Sequence, residues 1–273
     1  MTPDLREFHE AVSTERDLDL AVAALLVARV EYPTLDPAPY LKRLDGLAAG
    51  VGIPASRDGR RALDRLRRVL FEEEGFRGNA DRYFDPRNSC LNDVLDEKFG
   101  IPITLSVLTI EVGRRVGLSL HGLGLPGHFM VAADVDGERL IVDPFNRGAI
   151  LSRDDAESVV ARALGQPVPL TDSHFVPTSK DAIVTRMLAN LKSIYVQQEN
   201  WTKAFEVIER LLLLDGAAPT HLRDRGTVLM KLGDFQSGAA DWERYLTRYP
   251  QARDAVKLRG QLKRIRQALA SLN

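Results

Sequence analysis

Cys90, His128 and Asp143 are a thiol, an imidazole and a carboxylate in the chain order that a cysteine nucleophile, its base and the base's orienting group would take. A carboxylate bonded to one imidazole nitrogen fixes the tautomer and leaves the other nitrogen as a base. A base beside a thiol makes a nucleophile. The spacing links the last two residues. With Asp136-Gly137 as the centre of a hairpin turn, Asp134 faces Arg139, an opposite-charge pair, and Met130 faces Asp143. His128 is then the diagonal neighbour of Asp143, about 7–8 Å away at the backbone and within side-chain reach. Phe129, Val131, Leu140 and Val142 fall on the opposite face and read as core. The dyad is therefore expected on the less apolar face of a half-buried hairpin. A purely structural His–Asp hydrogen bond meets the same spacing.

Cys90 is the only cysteine, so no internal disulfide and no Cys-rich zinc site can form. With Asn88 or Ser89 as cap, it falls in the first turn of a helix striped by Leu91, Val94 and Leu95, where the helix dipole lowers a thiol pKa. The same placement, next to Leu91 and Leu95, equally suits a buried thiol, free cysteine being among the most buried residue types. His121 lies in an apolar strand and reads as a core or edge histidine. No pair of histidines and carboxylates has metal-ligand spacing, so no metal is expected. The glycine-rich run 122–127 sits between strands, not ahead of a helix, so it is no phosphate loop and no cofactor is expected.

The elements that must hold these residues can be read from periodicity. Helices are expected over 21–30, 39–49 and 57–73, the last carrying Leu63, Leu66, Val69 and Leu70 at helical spacing. A short helix ends near Gly100, and Pro102 opens another with Leu105, Leu108, Val112 and Val116 on its apolar face, stopped by Gly117. Strands are expected over 118–125, 128–135 and 138–143. Ser152 and Asp155 form a capping box for a helix to about Ala163. Three prolines in 165–178 mark a linker.

Beyond the linker the chain repeats. A shift of 34 residues sets Tyr195 on Leu229, Asn200 on Asp234, Trp201 on Phe235, Ala204 on Gly238 and Leu211 on Tyr245. That period, with its aromatic–x₂–small pattern, is the tetratricopeptide signature. About two repeats are present, and two bury too little to stand alone, so the tail is expected to lean on what precedes it. The run 253–266, with six basic residues and one acid, reads as a solvated helix face.

Composition narrows the class. The formal net charge of −1 at 273 residues lacks the footprint of a nucleic-acid binder. An acidic, largely polar start argues against an export signal, and the longest uncharged run, 116–133, is broken by glycines, a proline and two histidines. The expectation is a cytoplasmic protein with no membrane contact.

Residues 87–146 carry Arg-Asn-Ser-Cys-Leu-Asn-Asp-Val-Leu, then Gly-Ile-Pro-Ile-Thr-Leu-Ser, Gly-Leu-Pro-Gly-His-Phe and Asp-Pro-Phe-Asn. With the repeat tail, these motifs resemble the SirB-type transglutaminase-like family, bacterial proteins with a transglutaminase-like core and a tetratricopeptide tail. The resemblance implies an α+β fold: a helical N-terminal region, a core helix on a small antiparallel sheet in the papain-like manner, then an all-α tail. The linker at 165–178 divides the chain into expected domains at 1–164 and 179–273. His128 and Asp143 match the family's His and Asp. The thiol that opens the core helix in active relatives is replaced by Pro102, which has neither a nucleophile nor an N–H. Thr104 and Ser106 nearby read as backbone partners. The leading expectation is thus a binding or regulatory protein that holds a protein or peptide in its cleft or on its repeats. The rival is a thiol hydrolase or acyl transferase using Cys90, His128 and Asp143, and a third possibility has His128 activate a water. Oligomeric state is left open.

Overall fold

The computed structural model describes residues 1–13, 18–52, 58–216 and 218–270. The chain divides into two compact units, Glu10–Met187 and a second made of Met1–His9 with Leu188–Asn273. Among the described residues no helix is long and apolar enough to cross a membrane.

Helix α1 (Pro3–Val12) opens the chain. In the first unit, α2 (Leu20–Val27) is apolar on all sides and buried accordingly; the Asp19 carboxylate caps it, accepting from the N–H groups of Ala21 and Val22. α3 (Pro37–Val51) starts on a proline whose missing N–H costs nothing there, with Asp36 as cap. α4 (Gly59–Arg67) runs on into a wider π turn over Arg68–Glu73. Together these cover the expected third helix, except that Arg57 lies outside the described residues.

The site is framed by the next elements. Two short parallel strands, β1 (Arg77–Gly78) and β2 (Phe99–Gly100), pair around a 3₁₀ turn (Pro86–Ser89) and α5 (Leu91–Glu97). Then comes the core helix α6 (Pro102–Arg115), buried from Pro102 through Gly113. Its interior hydroxyls are all satisfied by backbone: Thr104 donates to Asn88 O at 2.8 Å, Ser106 to Pro102 O at 2.8 Å and Thr109 to Leu105 O at 2.8 Å. Glu111, 1% exposed, is held by Arg115 at 2.7 Å.

α6 packs on a four-stranded antiparallel sheet in sequence order: β3 (Ser119–Leu123), β4 (Met130–Val135), β5 (Glu138–Asp143) and β6 (Ala149–Leu151). The hairpin has the register read from its turn. Asp136 and Gly137 take φ of 51° and 85°, Asp134 opposes Arg139, and the two side chains pair at 2.7 Å. β6 is a strand beyond those expected; at three residues it is too short to show a period.

One expectation is corrected here. The second face of the sheet is not open: Met130, Ala132 and Ile141 pack with Leu123 and Leu125 beneath Ala156, Val159 and Val160 of α7 (Arg153–Leu164). Phe175, Val168 and Leu170, from the proline-rich stretch read as a linker, join the same cluster. Both faces of this hairpin are core.

The first unit ends at Met187 within α8 (Lys180–Gln197), and the second continues through α9 (Trp201–Leu214), α10 (Pro219–Lys231), α11 (Phe235–Arg248) and α12 (Ala255–Ala270). The 34-residue repeat is kept closely. Asn200 and Asp234 cap α9 and α11 in the same way, Trp201 and Phe235 are their first residues, and Glu199 and Gly233 both take positive φ, 55° and 85°. Residues 1–9 complete this unit. Phe8 is fully buried, and the Arg210 guanidinium, 2% exposed, lies 5.9 Å from its ring centre and pairs with Asp4.

Candidate functional site

His128 is delivered by a turn. Leu125-Pro126-Gly127-His128 has proline second, glycine third at φ 66°, and the His128 N–H bonded to Leu125 O at 3.3 Å, the residue pattern of a type II turn. Only glycine suits the third position, and a Cβ there would lie 2.7 Å from Leu164 of α7. We expect Gly127→Ala to cost roughly 1–2 kcal/mol for the left-handed residue alone and to displace the ring. Denaturation midpoints and His128 ring nitrogen shifts check this; unchanged shifts would show that the turn does not set the ring.

The imidazole and Asp143 meet as the spacing predicts. Nε2 lies 3.0 Å from Oδ1 and 3.1 Å from Oδ2, with His128 5% exposed and Asp143 fully buried. Asp143 caps its own turn as well. Oδ1 accepts from the Phe145 and Asn146 N–H groups at 3.1 and 3.3 Å, and Oδ2 from Asn146 Nδ2 at 2.6 Å. Burial pushes this carboxyl up. The bonds and charge from His128 and the bonds from Asn146 outweigh it, so it stays below the usual carboxylate range. A carboxylate on Nε2 favours the proton there and leaves Nδ1 with a lone pair. Nδ1 has no hydrogen-bond partner among the described residues. Phe145 meets the ring edge-on, centroids 5.9 Å apart, and Tyr83 stands against Phe145.

Two of these partners were not legible as site residues. Asn146 had a local signal, since an aspartate followed by proline favours a turn closed on its own side chain. Arg186 had none. From α8 it donates to Leu125 O at 2.9 Å and His128 O at 2.6 Å, bracing the turn from 58 residues away in sequence.

Cys90 is placed differently from expectation. Asp85 and Pro86 start a 3₁₀ turn that takes up Asn88 and Ser89, so Cys90 itself is the N-cap of α5 and not a first-turn residue. It is fully buried, and its Sγ donates to Pro86 O at 3.6 Å. Among the described residues His128 bonds Asp143 through Nε2 and no other side chain. Pro102 stands at the first position of α6, buried. His121 is on the edge strand β3, beside Ser119 at 3.1 Å and Asp134 at 3.4 Å.

A cavity of about 290 Å³ opens beside the 3₁₀ turn, with Asn79, Arg82, Asn88, Asp93 and Phe99 in its wall; it includes neither His128 nor Asp143. Burial raises Asp93 to about 6, although Tyr32 donates to it at 2.9 Å.

Residues 38–189 match the model of the transglutaminase-like superfamily, and residues 191–263 that of the tetratricopeptide repeat. A protein of Xylella fastidiosa (strain 9a5c) named UPF0162 protein is 36% identical over 264 residues, covering 92% of each chain. One of the same name from Vibrio cholerae is 28% identical over 235 residues, covering 86% of this chain and 85% of its own. The mouse F-box only protein 21 is 29% identical over 140 residues, 48% of this chain and 21% of that protein.

Proposed function

Because the chain belongs to the transglutaminase-like superfamily and carries a tetratricopeptide tail, the architecture of the SirB-type family, we propose that it works as a protein- or peptide-binding regulatory factor and not through thiol chemistry. The observation that carries this reading is Pro102. It occupies the start of the buried core helix, where the resemblance puts the nucleophile, and it offers neither a nucleophilic atom nor an N–H for an oxyanion.

The rival, a thiol hydrolase or acyl transferase using Cys90, His128 and Asp143, requires Sγ beside Nδ1 so that the thiol proton can pass to the ring. Sγ bonds Pro86 O instead, inside a fully buried N-cap. The His128–Asp143 pair then serves to hold the 125–128 and 143–146 turns together.

Alkylation of Cys90 by iodoacetamide across a pH series tests the reading. The expected result is a rate at least about 10³-fold below that of the unfolded chain at every pH where the fold persists, as burial behind a folding free energy of 5–15 kcal/mol requires. Rapid alkylation that continues below pH 7 and disappears in His128→Ala would overturn it.

A further inference from the structure

The repeat unit contains its own template for an uncovered surface. α11 seats on α10 through three contacts. Arg225 forks onto Asp241, Nε to Oδ2 at 2.6 Å and Nη2 to Oδ1 at 2.8 Å, while Nη1 reaches back to Glu209 of α9 at 2.7 Å. Gly226 lets the helices close: a Cβ there would lie 2.5 Å from the Trp242 ring. Trp242 Nε1 donates to Arg223 O at 3.1 Å.

The 34-residue register puts Lys257, Arg259 and Gly260 of α12 where Arg223, Arg225 and Gly226 stand on α10, and Glu243 of α11 where Glu209 stands on α9. On α12 that face is bare among the described residues. A Cβ at Gly260 would meet nothing within 4 Å. Among the described residues Arg259 has no forked carboxylate, and it bonds Pro250 O at 2.7 Å. The groove between α11 and α12 has a volume of about 580 Å³, a floor containing Leu246 and Leu262, and Arg259, Lys263 and Arg266 in its wall. α12 carries five basic residues, Lys257, Arg259, Lys263, Arg264 and Arg266, and no Asp or Glu. The carboxylate in the groove wall, Glu243, is already held by Arg266 at 2.5 Å.

We infer that this groove docks an acidic amphipathic helix of a partner protein, seated on α12 as α11 is seated on α10. A carboxylate of the incoming helix forks onto Arg259, and a large aromatic side chain lies over Gly260. Bidentate arginine–carboxylate pairing fixes the register of such a helix. The excess of cations on α12 selects an acidic one. The inference deepens the binding reading and rests on it only in requiring a protein partner. The cysteine test reports on the core alone, so either can fail without the other.

The probe is a helix-stapled synthetic peptide of residues 235–248 with Arg244→Glu and Arg248→Glu, which retains Asp241 and Trp242. It is titrated with the full chain by fluorescence anisotropy. The expected result is saturable binding, weakened roughly tenfold or more by Arg259→Glu and by Gly260→Leu, and weakened by added salt. Gly260→Leu has open space and gains helix propensity, so its melting temperature should not fall. Absence of saturable binding, or binding indifferent to both variants, would overturn the inference and leave α12 a polar cap on the repeats. Self-association of the chain that Gly260→Leu abolishes would also overturn it, giving the groove to a second copy.

Discussion

Asp143→Ala is expected to destabilise the fold by roughly 3–5 kcal/mol, the range for removing one member of a buried, hydrogen-bonded pair. The carboxylate is fully buried and satisfies His128, two backbone N–H groups and Asn146 at once, so its loss strands several donors together. Asp143→Asn should cost less, because its oxygen still accepts from the turn. The two variants should also differ from wild type in pH dependence. Asp143 titrates below its unfolded value of about 3.9. Its contribution is therefore complete above that value and is lost as pH falls through the lower, folded value. Urea melts from neutral pH towards pH 2 should show the gap between wild type and Asp143→Asn narrowing in acid. A gap that stays constant would mean that the charge contributes nothing.

The second large effect is expected far along the chain from the first. Phe8→Ala should cost roughly 3–5 kcal/mol, the range for truncating a buried aromatic side chain. Phe8 is fully buried within the repeat unit, and Arg210, itself 2% exposed, lies by its ring while pairing with Asp4. Removing the ring opens a cavity and leaves a guanidinium in it. Amide exchange over α9 should quicken in the variant. Unaltered protection there would show that residues 1–9 do not support the repeats.

What was legible in the sequence follows from the range of the forces involved. The hairpin register was readable because strand periodicity and an Asp-Gly turn are local, and a slip of one residue would reverse every side chain. The repeat register was readable from pairs such as Asn200 and Asp234, and the structure extends it to Glu199 and Gly233, which share a left-handed backbone. The second covered face was missed although Met130, Ala132 and Ile141 are apolar; strands buried on both sides lose their alternation. The Cys90 boundary was missed because Asp85 and Pro86 begin a turn of their own and use up the nearer capping residues. Arg186 and the Asp4–Arg210 pair belong to contacts between distant segments, for which no local pattern exists.

The sheet order β3–β4–β5–β6 joins each strand to its successor, and this has a kinetic consequence. His128 and Asp143 are 15 residues apart, whereas Asp4 and Arg210 are 206 apart. With a closure entropy growing as the logarithm of loop length, the longer contact costs about 2 kcal/mol more to close. On the ribosome the dyad can form as soon as the hairpin has emerged. The first nine residues must wait for α9 to be made, holding a buried phenylalanine in water for most of the time the chain takes to be synthesised.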